Sequence, residues 1–517
     1  MKKYLSLFLY TSLLFYSLSV QALDLYVTTT QDTDNPQSDH CDALGECPTL
    51  RDAIRYIQDP TKDLPEGESF FIFFKQAGVI QLNYGSVFAL AADLQDPIII
   101  DGNHEITLSG ESSPLLVSAF GQKLTLLGLN FEGKNPSNYG GCLLLGKGDF
   151  LIQESLFENC QANQNGGAIW ASLGSKLEIN TSRFKNNYAT GDGGAIYYDN
   201  KISYGLEIKN TSFENNQADK GGALSLINTQ LEFPVPSRLV NTSFYNNQAQ
   251  SKGGGIYVGP YQIANIEFST LHKNKTPNLG STGQNLYVDI NGSAILENNI
   301  LGEPGNPGEG QGQSCNVLIP ILFESYYNLY HQQNNSASHC INFKSPQDQV
   351  SKKILLSDWD PSLGVFKPLD ESPAIGLSPY QDFFPPDQLS YPRSSPLSTV
   401  GAIEARCGDE IIQYHSLGES CDDQSATCNE FCQSLVTQET ASCGNGLLEE
   451  GESCDGGENC RQDCTFNQVI TPKGGCLLDP HPSSHKNFLN YLSLLIPWMG
   501  LILLAKRSRL ERSLKKS

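Results

Sequence analysis

The sequence predicts an all-β chain wound as a right-handed parallel β-helix. An N-terminal helical cap, a small disulfide-rich module and a C-terminal transmembrane helix complete it. Three observations point there. One phrase recurs at Asn180–Tyr198, Asn210–Leu226 and Asn241–Val258, each with Asn-Thr-Ser, then Phe-x-Asn-Asn, then Gly-Gly. Two landmarks drift together along the chain. Phe131, Phe157, Phe184, Phe213, Phe244 and then Leu271 are 26 to 31 residues apart, and the Gly-Gly pairs starting at Gly140, Gly166, Gly193, Gly221 and Gly253 are 26 to 32 apart. Insertions therefore fall between repeats and spare the phrase. Each period also holds short β-rich bursts, such as Lys176–Ile179 and Gly194–Tyr198, separated by Asn, Gly and Asp turn formers. A period near 27 admits two solenoids, and the Leu-x-x-Leu-x-Leu ladder and helical return of the leucine-rich repeat are missing.

The phrase follows from coil stacking. Successive coils rise by ~4.8 Å, so equivalent residues sit above one another. Phe157, Phe184, Phe213 and Phe244 are expected to form an internal aromatic column. Asn186, Asn215 and Asn246 begin Asn-Asn pairs that turn the chain, because asparagine tolerates left-handed backbone angles. Stacked asparagines can also hydrogen-bond along the column. The pairs Gly166-Gly167, Gly193-Gly194, Gly221-Gly222 and Gly253-Gly254 give the next corner freedom that a Cβ would deny. All of these residues are read as structural.

Taken in order, residues 1–22 carry two lysines, an apolar run and a small-x-small end. They read as a secretory signal peptide cut between Ala22 and Leu23. Residues 23–65 form the cap. Leu50, Ala53, Ile54 and Ile57 follow helical spacing, and Thr49 with Asp52 reads as a capping box. Cys41 and Cys47 close a small loop in front of this helix, which plugs the open end of the coil. Residues 66–345 form the β-helix, with repeats clearest over 129–288 and about ten rungs. The insertion Leu226–Val240 is expected to bulge from one flank. Within the repeats, a bond between Cys142 and Cys160 and two buried free thiols are both open readings. Residues 346–405 close the domain.

After Ala405 the composition changes. Residues 406–476 hold two tandem four-cysteine units, Cys407, Cys421, Cys428 and Cys432, then Cys443, Cys454, Cys460 and Cys464. Two-residue zinc-knuckle spacings are missing and an exported chain meets an oxidising compartment, so two disulfides per unit are expected. Each unit has three possible connectivities. A linker, 477–487, leads to the apolar stretch 488–505, about 27 Å long as a helix and just able to span a bilayer. The basic tail 506–517 keeps the C-terminus cytoplasmic. Cysteine, helix and basic cluster are also the layout of cleaved C-terminal sorting signals, in which Cys476 would be lipidated. An unprocessed juxtamembrane cysteine is the equal alternative.

Several stretches resemble known families. Cys47-Pro48-Thr49-Leu50-Arg51-Asp52-Ala53-Ile54 resembles the N-terminal signature of bacterial surface proteins that carry a Cys-Ser-Leu-Arg-Glu-Ala-type motif and a right-handed parallel β-helix. Here Thr49 and Asp52 replace the serine and glutamate. Closing elements similar to that family's lie at Cys315 and Cys340, Asp360–Gly364, Glu371–Gly376 and Val400–Ala405, so the resemblance covers about residues 24–405. The Phe-x-x-Asn and Gly-Gly-Ala-Ile tetrapeptides resemble repeats of chlamydial polymorphic outer-membrane proteins, which are adhesins. Those proteins end in a membrane β-barrel, unlike this chain. The duplicated cysteine units are similar to cysteine-rich repeats of myxobacterial surface proteins.

Composition decides less. The net charge of −22 argues against nucleic acid as the main partner. A polysaccharide lyase or hydrolase needs clustered carboxylates and a basic partner. The eight histidines are scattered, and Asp192, Asp199 and Asp219 lie at or near turns. Lys185 and Arg183 show no periodic carboxylate partner. Gly308–Gln313 lacks the strand–helix context of a phosphate cradle. No catalytic, cofactor or metal residues are therefore named. The expected function is an exported, membrane-anchored surface protein whose rod binds a carbohydrate or protein ligand. A polysaccharide-acting enzyme and a purely structural spacer are the alternatives.

Overall fold

In the computed structural model, the described residues are 23–421 except 63, 65–68, 90–95, 111–113, 119–120, 134–135, 173, 201–204, 230–234, 278–282, 306–313, 332–338, 407–408, 410 and 418–420. They belong to one compact unit, Met1–Leu435; a second, Val436–Ser517, lies outside them.

One coil shows how the chain winds. Lys176–Asn180 forms the first face, and Thr181 turns with φ +48° into Arg183–Lys185, the second face. Asn186 turns with φ +56° into the short third face, Tyr188–Ala189. Gly193 then turns the chain into the fourth face, Ile196–Asp199. The next coil repeats this in parallel register, pairing Phe184 with Phe213 and Ile196 with Leu224. First and second faces form one continuous sheet, while the third and fourth are separate sheets.

On the first face, eleven strands from Leu23–Val27 to Leu322–Tyr326 are joined in parallel. Ten steps of ~4.8 Å give a stack rising about 48 Å. Strand alternation sends Leu177 and Ile179 inward and their neighbours outward, and the same burial pattern recurs along the face. The stack begins at Leu23, so the cap region contributes a strand as well as the helix Leu50–Gln58.

Two buried columns fix the coil. Phe131, Phe157, Phe184, Phe213 and Phe244 stack with centroids 4.6–5.0 Å apart. Leu271 continues the register opposite Phe244. The asparagine column divides its work between the members of each pair. Asn186, Asn215 and Asn246 adopt left-handed φ, while the following Asn187, Asn216 and Asn247 point inward. Each of these inner amides donates to the next Oδ1, Asn187 to Asn216 at 2.9 Å, Asn216 to Asn247 at 2.9 Å and Asn247 to Asn274 at 2.8 Å. The glycines also divide. Gly193 carries φ +73°, whereas a Cβ on Gly194 would sit 2.0 Å from the Gly222 carbonyl of the next coil. The first glycine is a turn and the second a close approach.

The cap motif has a local rationale. Thr49 caps the helix by accepting the Asp52 amide and donates its hydroxyl to Asp52 Oδ2 at 2.7 Å. Asp52 is buried and also accepts the Gln37 amide. Arg51 pairs with Asp32 and donates to the Ser86 carbonyl at 2.7 Å, tying helix to coil. A disulfide joins Cys41 to Cys47. At the other end, Cys315–Cys340 links the last fourth-face strand to a short 3-10 turn, His339–Phe343.

Gln349–Ser351 pairs in parallel with Leu329–His331 as a last second-face rung, and the chain from there to Ala405 lies along the side of the stack. Trp359 stacks on Tyr245 at 4.9 Å, and Phe366 meets Tyr245 and His272 edge-on. Arg393 lies 3.9 Å over the Phe268 ring and donates to Asn241 Oδ1 at 2.8 Å. Gln388 accepts from Ser243, and Arg183 donates to the Ser362 carbonyl. The second face is therefore covered from Arg183 to Ile300, where Val400 and Ala374 complete a separate apolar cluster. Among the described residues, no helix is long and apolar enough to cross a membrane. The stretch 488–505 lies outside them.

Candidate binding face

With the second face covered, the outer surfaces of the first and fourth faces carry different chemistry. The first face presents a charge ladder. Arg238 bridges Glu207 at 3.1 Å and Glu267 at 2.8 Å, and Lys209 pairs with Glu207 at 3.0 Å. On the second face, Lys185 meets Glu158 of the previous coil at 3.9 Å, a partner that sequence spacing did not reveal. Such half-exposed, mutually neutralised pairs are a solvated surface and stabilise little.

The fourth face is built differently. Register aligns Leu144, Trp170, Tyr197, Ser225, Tyr257 and Tyr287 as one outward column. Their neighbours point inward, so the alternation of Ile169-Trp170-Ala171 and Ile196-Tyr197-Tyr198 forces these rings out. Trp170 and Tyr197 are half-buried, and Tyr139 leans on Trp170 at 5.6 Å. Tyr257 and Tyr287 are buried and stack at 6.0 Å.

Beside this column runs a polar one, set by the residue preceding the last four Gly-Gly pairs: Asn165, Asp192, Lys220 and Lys252. Lys220 lies 3.6 Å from Asp192, and Lys252 lies 3.1 Å from Asp289. The Tyr257 hydroxyl donates to Asp289 Oδ2 at 2.6 Å, and the Lys252 ammonium sits 4.7 Å over the Tyr287 ring. Burial pushes the Asp192 carboxyl above its ordinary range, against the pull of Lys220. Burial likewise raises the Tyr197 phenol, with Asp199 and Asp192 adding to it. Tyr257 and Tyr287 are thus held by their own ionic partners. Tyr139, Trp170, Tyr197 and Asp192 form the part of the face open to a ligand: flat apolar rings beside one carboxylate.

The sequence-predicted residues distribute plainly. Cys142 and Cys160, left open between bond and free thiols, form a disulfide joining the fourth-face corner to the inner asparagine slot. Cys421 is disulfide-bonded. Cys407, Cys428, Cys432, Cys443, Cys454, Cys460, Cys464 and Cys476 lie outside them, as do Ala22 and Gly308–Gln313. Asp199 is buried and accepts from the Thr229 amide and hydroxyl. The insertion expected over Leu226–Val240 is narrower. Leu226 belongs to the strand Leu224–Ile227, and Ser237–Val240 is itself a first-face strand, because both keep the inward alternation. Among the described residues, no three His, Cys, Asp or Glu side chains are grouped to hold a metal ion. The outward aromatic column was missed. Its signal lies in the residue after each Gly-Gly-x-Ile or Gly-Gly-x-Leu, aromatic at Trp170, Tyr197 and Tyr257.

Comparison with known proteins gives two results. The Chlamydia polymorphic membrane protein repeat matches residues 181–199, 210–226 and 241–259, three successive coils of this stack. A solved structure titled "Crystal structure of pectate lyase Pel9A" aligns with a TM-score of 0.41 and 12% identity, covering 75% of this chain and 98% of that one.

Proposed function

We propose that the protein is displayed at the cell surface and binds, without catalysis, a carbohydrate or protein ligand on the outer fourth face. The observation that carries this reading is the cluster of half-exposed rings, Tyr139, Trp170 and Tyr197, on the outer fourth face. Half-exposed aromatics supply large contact area at small entropic loss and recur at recognition surfaces. The three matched coils, a repeat described as that of a membrane protein, support display. On this reading, the N-terminal signal directs export and the C-terminal apolar segment anchors the chain, retained or processed at Cys476.

A polysaccharide-acting enzyme is the second reading, favoured by one feature: the raised Asp192 carboxyl beside Lys220 on the same face. One experiment separates the two. Purified full-length protein is screened against pectins, alginates, glycosaminoglycans and candidate surface proteins, with and without calcium, for binding and for new chain ends. Retention of one ligand without cleavage, reduced at least tenfold in Trp170→Ala, is expected. Reproducible cleavage abolished by Asp192→Asn moves the assignment to an enzyme.

A further inference from the structure

Downstream of the N-terminal coils, the corner between first and second faces obeys a strict rule. One residue turns with left-handed φ, as at Glu154 (+52°), Thr181 (+48°), Asn210 (+50°) and Asn241 (+52°), and a buried Ser, Thr or, at Asn299 and Asn328, Asn follows. The early coils break the rule. The strand Ile98–Gly110 shifts register between Asp101 and Ile106, and four residues, Gly102–Glu105, occupy the corner. Its neighbour spends three, Lys75–Ala77, between Phe70–Phe74 and Gly78–Leu82. The enlarged corner is fitted into the next coil. A Cβ on Gly102 would meet Leu129 Cδ2 at 2.5 Å, and one on Gly128 would meet the His104 amide nitrogen at 2.9 Å. A departure this closely packed is a built feature, and such departures gather at functional sites.

The enlarged corner opens a cleft of about 460 Å³, within the range of small-ligand sites. Its floor is aromatic: Tyr26 and Phe73 stack at 5.7 Å with their rings 29° apart, and both are half-buried. Its rim carries Lys75 and Gln76 on one side, and Asp101, Asn103 and Glu105 on the other. Lys75 already lies 5.5 Å over the Tyr26 ring and pairs with Glu46, so the protein itself fills the place a ligand cation would take. The carboxylates of Asp101 and Glu105 oppose an anion. What remains complementary is an uncharged molecule with one apolar face and an edge of groups that both donate and accept hydrogen bonds. A neutral sugar ring has that form.

We propose that this cleft is a binding site for neutral saccharides, one to two sugar units long, with Tyr26 and Phe73 as apolar floor and Asp101, Asn103 and Glu105 as hydroxyl partners. It is separate from the outward aromatic column and shares no residue with it.

The test is saturation-transfer NMR and calorimetry on the full-length protein with cellobiose, xylobiose and N,N′-diacetylchitobiose, beside digalacturonate as the acidic probe. At least one neutral disaccharide is expected to bind, with digalacturonate at least tenfold weaker. Tyr26→Ala should weaken binding at least tenfold, Glu105→Gln several-fold, and Tyr26→Phe little. Glu105 is exposed, so its variant remains informative if Tyr26→Ala fails to fold. The proposal is overturned if no neutral probe binds, if Glu105→Gln and Tyr26→Ala both leave binding unchanged, or if digalacturonate binds the cleft more tightly.

Discussion

At the scale of single residues, stability concentrates where identical side chains meet across coils. Phe213 is fully buried between Phe184 and Phe244, 5.0 and 4.6 Å away. Phe213→Ala removes both contacts at once, and the rigid backbones above and below cannot collapse into the space. A loss of about 3–5 kcal/mol is expected in denaturant unfolding. His272 supplies a pH effect. It is buried against Phe366, its Nδ1 accepts the Glu303 amide at 3.1 Å, and burial first, then Lys273 and His331, push its pKa from 6.5 down to about 3. The unfolded chain therefore binds the proton first. Stability from this residue is full above about pH 6.5 and declines as pH falls toward 3, by roughly a few kcal/mol. Urea midpoints measured from pH 7 to pH 4 should fall in the parent protein and fall less in His272→Gln. The inward columns were legible because they repeat in identity. His272 was not, because its burial depends on a segment almost a hundred residues away.

At the scale of elements, the packing of Pro346–Ala405 turns on one buried ion pair. Arg393 and Glu404 have side chains 0% and 2% exposed, 3.5 Å apart. The guanidinium also donates to the Thr399 and Gly401 carbonyls at 3.0 Å, and Glu404 accepts the Thr399 amide at 3.0 Å. Burial pushes the arginine down to about 10 and the glutamic acid up, and each ion offsets part of the other's cost of burial. Arg393→Ala strands Glu404 in an apolar site and should destabilise by about 3–5 kcal/mol. Arg393→Lys should recover only part of this, because an ammonium cannot reproduce the fork of donors. Thermal unfolding of the two variants beside the parent checks both statements. The sequence marked this segment through Asp360–Gly364 and Val400–Ala405, but its position along the second face was hidden. Its contacts are single residues, Trp359, Phe366, Gln388 and Arg393, without periodicity. The helix Leu50–Gln58 was readable by contrast, since its spacing and its Thr49 cap are both local.

At the scale of the whole described unit, the solenoid was legible because a period needs only self-similarity, and three coils carry it almost unchanged. The outward face was less so. An aromatic residue after Gly-Gly-x-Ile looks like one more core residue until alternation assigns it a side, and its meaning then depends on which faces stay open. That point bears on how the protein matures. Arg183 reaches Ser362 across 179 residues, Asn241 reaches Arg393 across 152, and Ser243 reaches Gln388 across 145. Coils pair with the coil just before them, so they can stack in order as the chain emerges, N-terminus first. The locking segment is made after every coil it touches. Loop closure over such distances comes late, since its entropy must be met before the contacts form. Stacking in that order would leave the second face bare until Pro346–Ala405 docks. For a chain that crosses a membrane from its N-terminus, this unit would be latched only once Ala405 had cleared the far side.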